Sequence, residues 1–197
     1  MRLSGEITPD RPLLVLAVEE EAQSLKTDLP VLLTGMGKVN AATALAAVLA
    51  SGPHPARIVN LGTAGSLRPG VSGINRVGTV IQHDFSTDLL HELTGVTFGG
   101  PIAVADGSGV TLATGDSFIA DGPARDRLAQ RAQLVDMEGY ALAVAASSAN
   151  VPIDIIKYVS DEADESAFKS WRETVAIAGR WLAGWAADNA HGYGRGT

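Results

Sequence analysis

The chain has 197 residues, 46% apolar, 19% charged and 5% aromatic, with 22 acids against 15 Lys and Arg and a formal net charge of -7. That balance suits one globular α/β-type domain burying roughly 70% of its unfolded surface, and it excludes a disordered or fibrous chain. The chain has no cysteine, which removes disulfides, thiol catalysis and cysteine-held zinc; no Lys/Arg cluster marks a nucleic-acid face; and MRLSGEITPDRPLL lacks the apolar core of a leader or a span, so a cytoplasmic protein is expected.

Apolar runs then alternate with Ala-rich ones. Leu13–Val18 and Val31–Thr34 read as buried strands. Val39–Ala50 reads as a helix closed by Gly52 and Pro53. Arg57–Leu61 is a strand, with Gly62–Gly65 expected to turn, and Arg76–Gln82 is another strand. Residues 66–75 and 99–109 read as Gly-rich loops. Val110–Ala113 is a strand, and Asp121-Gly122-Pro123 opens a short helix to about Arg131. Gln133–Val135 is a brief strand before a helix expected over Asp136–Ala149. Ile153–Val159 is the last strand, and the S-x-x-E box Ser170–Glu173 starts a helix to about Asp188. One domain is expected over residues 1–190, with a frayed, Gly-rich tail at 191–197. Strands separated by helices imply an α/β domain with a largely parallel sheet.

Ligands of open α/β sheets gather outside the carboxyl ends of the strands. The residues just past each expected strand are therefore informative: Glu19-Glu20-Glu21, Gly35-Met36-Gly37-Lys38, Gly62-Thr63-Ala64-Gly65, Thr114-Gly115-Asp116-Ser117-Phe118, Asp136-Met137-Glu138 and Ser160-Asp161-Glu162-Ala163-Asp164. Glycines and acids thus collect at one sheet edge. Singly, each has an ordinary explanation. A run of glutamates is a solvated helix start, glycines are turn chemistry, and Asp136 and Glu138 can cap a helix. Gly-Met-Gly-Lys lacks the full phosphate-loop pattern, and Gly62–Gly65 lacks the dinucleotide fingerprint. His83-Asp84 reads as a surface or loop pair. His54, His83, His91 and His191 show no ligand spacing, so no metal is expected, and no cofactor.

Together, Val18–Glu21, Thr34–Ala42, Asn60–Ser66, Thr114–Ile119, Val135–Gly139 and Val159–Asp164 resemble the purine nucleosidase and phosphorylase superfamily. The nearest resemblance is to the methylthioadenosine/S-adenosylhomocysteine nucleosidases. The resemblance implies a three-layer α/β/α domain with a mixed, partly barrel-like sheet. It also implies a homodimer and hydrolysis of the N-glycosidic bond of a purine nucleoside. By that resemblance Glu21 is the base that activates water, and Asp161, steadied by Ser160, is the acid at purine N7. Glu138 grips the ribose hydroxyls, with Met137 beneath the sugar. Phe118 stacks on the base, the Ile119 backbone reads its edge, and Thr63, Ala64 and Gly65 line the water and base sites. The chemistry agrees: a purine leaves poorly unless protonated, and an oxocarbenium-like ribosyl group needs an activated water.

This sequence also departs from the family. Only 14 residues separate Glu21 from Met36, where the family has a hairpin, so one strand is expected there. Lys157 stands where the family often has Arg, Asp136 where Glu is usual, and Gly139-Tyr140 where residues are small. Like charges at Glu162, Asp164 and Glu165 and burial against Phe118 would raise the Asp161 pKa, whereas contact with Ser160 or Lys157 would lower it. Three glutamates after the first strand disfavour phosphate as the nucleophile, with Lys38 the residue that could overturn this. The alternatives are a phosphorylase, a nucleosidase for another nucleoside such as a futalosine type, and a non-catalytic nucleoside-binding protein.

Overall fold

The structure is a computed structural model and describes residues 1–190 and Gly192. The expected tail falls largely outside the described residues. The chain runs through β1 (Arg2–Ser4), β2 (Leu13–Leu16), α1 (Glu19–Ala22), β3 (Val31–Leu33), α2 (Lys38–Ser51), β4 (Ile58–Ser66) and β5 (Ile74–Gln82). It continues through α3 (Thr87–Thr94), β6 (Ile102–Ala103), β7 (Val110–Thr114), α4 (Gly122–Leu128), β8 (Leu134–Asp136), α5 (Gly139–Ser148), β9 (Ile153–Asp161) and α6 (Ala167–Asn189).

The sheet is mixed and partly closed. β4, β8, β7, β5 and β9 hydrogen-bond in a ring, with β9 returning to pair β4. β2, β3 and β1 extend from β4 as an open wing. The β2–β3, β2–β4, β4–β9, β5–β7 and β7–β8 ladders are parallel, which orients several carboxyl ends to one side. Helices cover both faces. α2 buries Ala41, Ala44, Leu45, Val48 and Leu49, the stripe of a one-sided helix, and all but Ala44 join a cluster shared with α5. On the other face Leu182 and Ala186 of α6 join Leu14, Leu16, Val59, Leu61 and Ile156. Burying these side chains contributes about 1.5–3 kcal/mol for each Leu, Ile or Val.

The strands lie where the apolar runs predict them, but several boundaries differ. Gly62–Gly65 does not turn; it continues β4, paired to β9 as far as Gly65 opposite Asp161. These glycines serve close approach: a Cβ on Gly65 would stand 2.8 Å from Asp161 Oδ1. The helix expected from Asp136 starts at Gly139, because Asp136 ends β8 and its Oδ2 accepts from the Gly139 N–H at 2.8 Å. Ser170 does not cap α6. The helix begins at Ala167, after a turn in which Ser166 donates to Asp164 Oδ1. The loops read at 66–75 and 99–109 are shorter, since β4 and β5 enter the first and β6 the second. The shortened segment after Glu21 does hold one strand, β3. The edge strands β1 and β6 carry too little apolar pattern to be read, and helix α3, despite Leu89, Leu90 and Leu93, is not among the expected elements.

Gly78 shows what closing the ring demands. The β5–β7 register shifts between Val77 and Thr79, and a Cβ on Gly78 would lie 2.4 Å from the Gly107 carbonyl oxygen. Gly78→Ala therefore forces backbone apart at this bulge. It is expected to lower unfolding stability by about 1–3 kcal/mol in urea denaturation, whereas Gly52→Ala, which meets nothing within 4 Å, should stay near wild type.

Candidate active site

A cleft of about 330 Å³ opens where the carboxyl ends of β2, β4, β8 and β9 converge. Its wall holds Glu21, Glu138 and Asp161 together with Thr63, Ala64, Gly65, Phe118, Met137 and Ser160, which come from five separate parts of the chain. Ile119 stands one step back, in a recess of about 30 Å³ beside Phe118 and Asp161. Ala17, Val18, Met36, Val135, Phe168 and Trp171 complete the cleft wall, so its surface is mostly apolar. A larger hollow of about 480 Å³, edged by Arg68, Arg125 and Glu162, lies apart from this carboxylate group.

The triple glutamate resolves into two roles. Glu19 and Glu20 are exposed, whereas Glu21 is buried. Glu21 Oε1 accepts from the Thr63 N–H at 2.7 Å and from the Thr63 hydroxyl at 2.9 Å. Its Oε2 accepts only a longer bond from the Ala17 N–H, at 3.3 Å. One oxygen is thus saturated and the other is held loosely at the cleft.

Beneath the cleft lies a buried ion pair. Lys157, 1% exposed, places Nζ 2.8 Å from Asp136 Oδ2. Burial alone would lower the Lys157 pKa, but the Asp136 and Glu138 carboxylates outweigh it and raise it. Asp136 Oδ1 accepts from the Thr114 hydroxyl at 2.6 Å, and Thr114 Oγ1 accepts from the Tyr140 N–H at 3.0 Å. Glu138, immediately before α5, accepts from the Gly37 N–H at 2.8 Å. Its pKa is pushed up to about 7, first by burial and then by Asp136, against the opposing pull of Lys157 and Gly37.

Asp161 is also buried, and burial raises its pKa, with Asp164 adding in the same direction. The Ser160 hydroxyl at 2.8 Å from Oδ2 and the Ala163 N–H at 3.0 Å from Oδ1 oppose the rise without reversing it. Lys157 pairs with Asp136 rather than Asp161. Four residues of extended strand set Lys157 and Asp161 about 13 Å apart along β9. Lys38, the cation that could have faced a phosphate, bonds Asp84 and Gln82 instead. Asp84 in turn accepts from the Asp116 N–H at 2.8 Å. His83 beside it is half-buried, with a pKa lowered by burial.

Sequence reasoning missed Phe168 and Trp171. Both come from the start of α6, which the S-x-x-E pattern places too late, at Ser170. The aromatic residues shortly after Ser160–Asp164 are the signal that could have found them.

The sequence matches the family model described as the phosphorylase superfamily over residues 24–110 and 84–184, most of its length. The chain belongs to the phosphorylase superfamily. Its fold is similar to that of Helicobacter pylori MTAN, solved as a mutant with 5′-methylthioadenosine in the active site. The TM-score is 0.79 and the identity 18%, with 90% of this chain and 96% of that one covered. A futalosine hydrolase mutant from Helicobacter pylori gives 0.77 at 18% identity, covering 90% of this chain and 97% of that one. The 5′-methylthioadenosine/S-adenosylhomocysteine nucleosidase of Neisseria meningitidis, in complex with methylthio-immucillin-A, gives 0.77 at 21%, covering 91% and 97%. These likenesses establish the α/β fold of this superfamily member.

The raised Glu138 pKa has a sign that can be checked. Between pH 4.5 and about 7 the folded chain holds a proton at Glu138 that the unfolded chain has released. Stability therefore falls as pH rises through that window, and the penalty is complete above it. In urea denaturation Glu138→Gln should gain on wild type as pH rises from 5 to 8. A constant difference across that range would show that Glu138 does not titrate as its surroundings imply.

Proposed function

We propose that this chain is a nucleosidase that hydrolyses the N-glycosidic bond of a purine nucleoside. Its substrate is an adenine nucleoside such as methylthioadenosine or S-adenosylhomocysteine. The observation that carries this reading is the single cleft in which three carboxylates, Glu21, Glu138 and Asp161, share an otherwise mostly apolar wall.

Each carboxylate suits a different task. Glu21, with its loosely held Oε2, accepts a proton from water as the water oxygen attacks C1′ of the ribosyl group. The C1′–N9 bond breaks with its electron pair passing to the purine, through an oxocarbenium-like state. Asp161, whose burial favours the neutral acid, gives its proton to N7, so the base leaves neutral. Glu138 grips the ribose by accepting hydrogen bonds from its hydroxyls, with Met137 beneath the sugar. Phe118 stacks on the base, and the Ile119 backbone reads its edge from the recess. Ser160 holds Asp161, and Thr63, Ala64 and Gly65 line the water and base sites.

Water is favoured over phosphate because no residue lining the described cleft is cationic, and the Glu21 carboxylate would repel an anion. A futalosine-type nucleoside is the second reading, since the likeness to futalosine hydrolase matches that to MTAN at 18% identity. The test is product analysis across a panel of nucleosides, with and without phosphate. Free base plus free ribose sugar, independent of phosphate, is expected; a phosphate requirement with a ribose 1-phosphate product would assign a phosphorylase, and binding without cleavage a non-catalytic protein.

Two variants test the roles. Glu21→Gln should cut turnover at least about a hundredfold while keeping substrate binding, with Glu19→Gln and Glu20→Gln unchanged. Asp161→Asn should cost roughly a hundredfold to ten-thousandfold on adenine nucleosides, and far less on a nitrophenyl riboside whose leaving group needs no proton. Equal losses on both substrates would reassign Asp161 to positioning.

We also propose a homodimer. α3 buries none of its residues, and Phe85, Leu89, Leu93, Val96 and Phe98 stand exposed on and around it, an apolar surface that association would cover. Light scattering at micromolar concentration should give twice the chain mass, and an active monomer would refute the assignment.

A further inference from the structure

We infer that Trp171 is a positioning residue for the Glu21 carboxylate, acting through Thr63. The inference rests on the reading of Glu21 as the group that activates water. Trp171 Nε1 donates to Thr63 Oγ1 at 3.0 Å, and Thr63 Oγ1 donates to Glu21 Oε1 at 2.9 Å. The direction of this relay is forced. An indole N–H can only donate, and a hydroxyl has a single proton and two lone pairs. With one Thr63 lone pair taken by Trp171, the Thr63 proton is aimed at the carboxylate. The rotor is set before substrate arrives, and each bond in such a chain polarises the next.

The consequence falls on the other carboxylate oxygen. Thr63 ties Oε1 by both its N–H and its hydroxyl, which leaves Oε2 with the longer bond from the Ala17 N–H, on a residue that lines the cleft. α6 also fixes the backbone beneath. At Gly179, two turns further along α6 than Trp171, a Cβ would stand 3.0 Å from the carbonyl oxygens of Glu20 and Glu21. The absent side chain lets α6 lie directly on α1. One helix thus holds Glu21 twice, by its main chain at Gly179 and by its side chain through Trp171 and Thr63.

Trp171→Phe keeps an aromatic ring in the wall and removes only the donor. It should lower kcat about tenfold with KM within twofold of wild type. In a Thr63→Val background, which has lost the acceptor, the same change should cost less than twofold. A purely structural tryptophan would instead cost as much in either background, and that result overturns the inference, as does a Trp171→Phe enzyme with kcat within twofold of wild type. A second measurement needs no turnover. In ¹⁵N-labelled protein the Trp171 indole proton should exchange more slowly than that of exposed Trp181, and Thr63→Val should speed it. Exchange as fast as that of Trp181 in the wild type also overturns the inference. Wild-type protein that releases no base from any nucleoside would instead defeat the nucleosidase reading on which the inference rests, a result distinct from an active wild type with an indifferent Trp171.

Discussion

The Lys157–Asp136 ion pair is the constraint around which the site is arranged. The Lys157 ammonium, buried on β9, is a positive charge set among the Asp136, Glu138 and Glu21 carboxylates. Removing one member of such a pair leaves an uncompensated buried charge, at a cost of about 3–5 kcal/mol. Asp136 also takes the Gly139 N–H and the Thr114 hydroxyl, so one carboxylate joins β7, β8, β9 and the start of α5. Gly62 makes room for it: a Cβ there would lie 3.1 Å from Lys157 Nζ. One cation cannot neutralise three acids. Burial first, and then the neighbouring Asp136 charge, raise the proton affinity of Glu138 until its pKa stands at about 7, against the pull of Lys157.

Much of this arrangement is legible in the sequence because it rests on local chemistry. β-Branched and leucine runs mark β2, β4, β5, β7 and β9, and the strand-end rule points to the acids that the cleft brings together. The features that escape a reading of the sequence depend on contacts distant along the chain. Gly62–Gly65 carries a turn signal, and pairing to β9 along its length and to β8 at Gly65, with Lys157 and Asp161 close to the missing side chains, keeps it extended. The S-x-x-E box at Ser170 is a true local pattern, overridden by the Asp164–Ser166 turn just upstream. The pairing of Trp171 with Thr63 is out of reach for the same reason, since the two lie 108 residues apart.

Two departures from the family pattern, Asp136 for Glu and Lys157 for Arg, meet in space as a single pair. Each therefore sets the geometry of the other. An Arg presents a wide fork that can bind two carboxylates at once, whereas a Lys is a point charge on a flexible stem. Paired with the shorter Asp, the Lys157 ammonium sits below the cleft and does not line it.

That placement bears on the choice of nucleophile. A bound phosphate needs donors or cations where it lies, and a cation engaged beneath the floor acts on it only at a distance. Lys38 is spent in the same way, its ammonium held by Asp84 and Gln82. Both lysines that could have served an anion are thus committed to acids or amides of the framework. The wall keeps its carboxylates and its apolar side chains. In the proposed function such a surface favours a neutral nucleophile that arrives with a proton to lose, and water beside the loosely held oxygen of Glu21 meets that description.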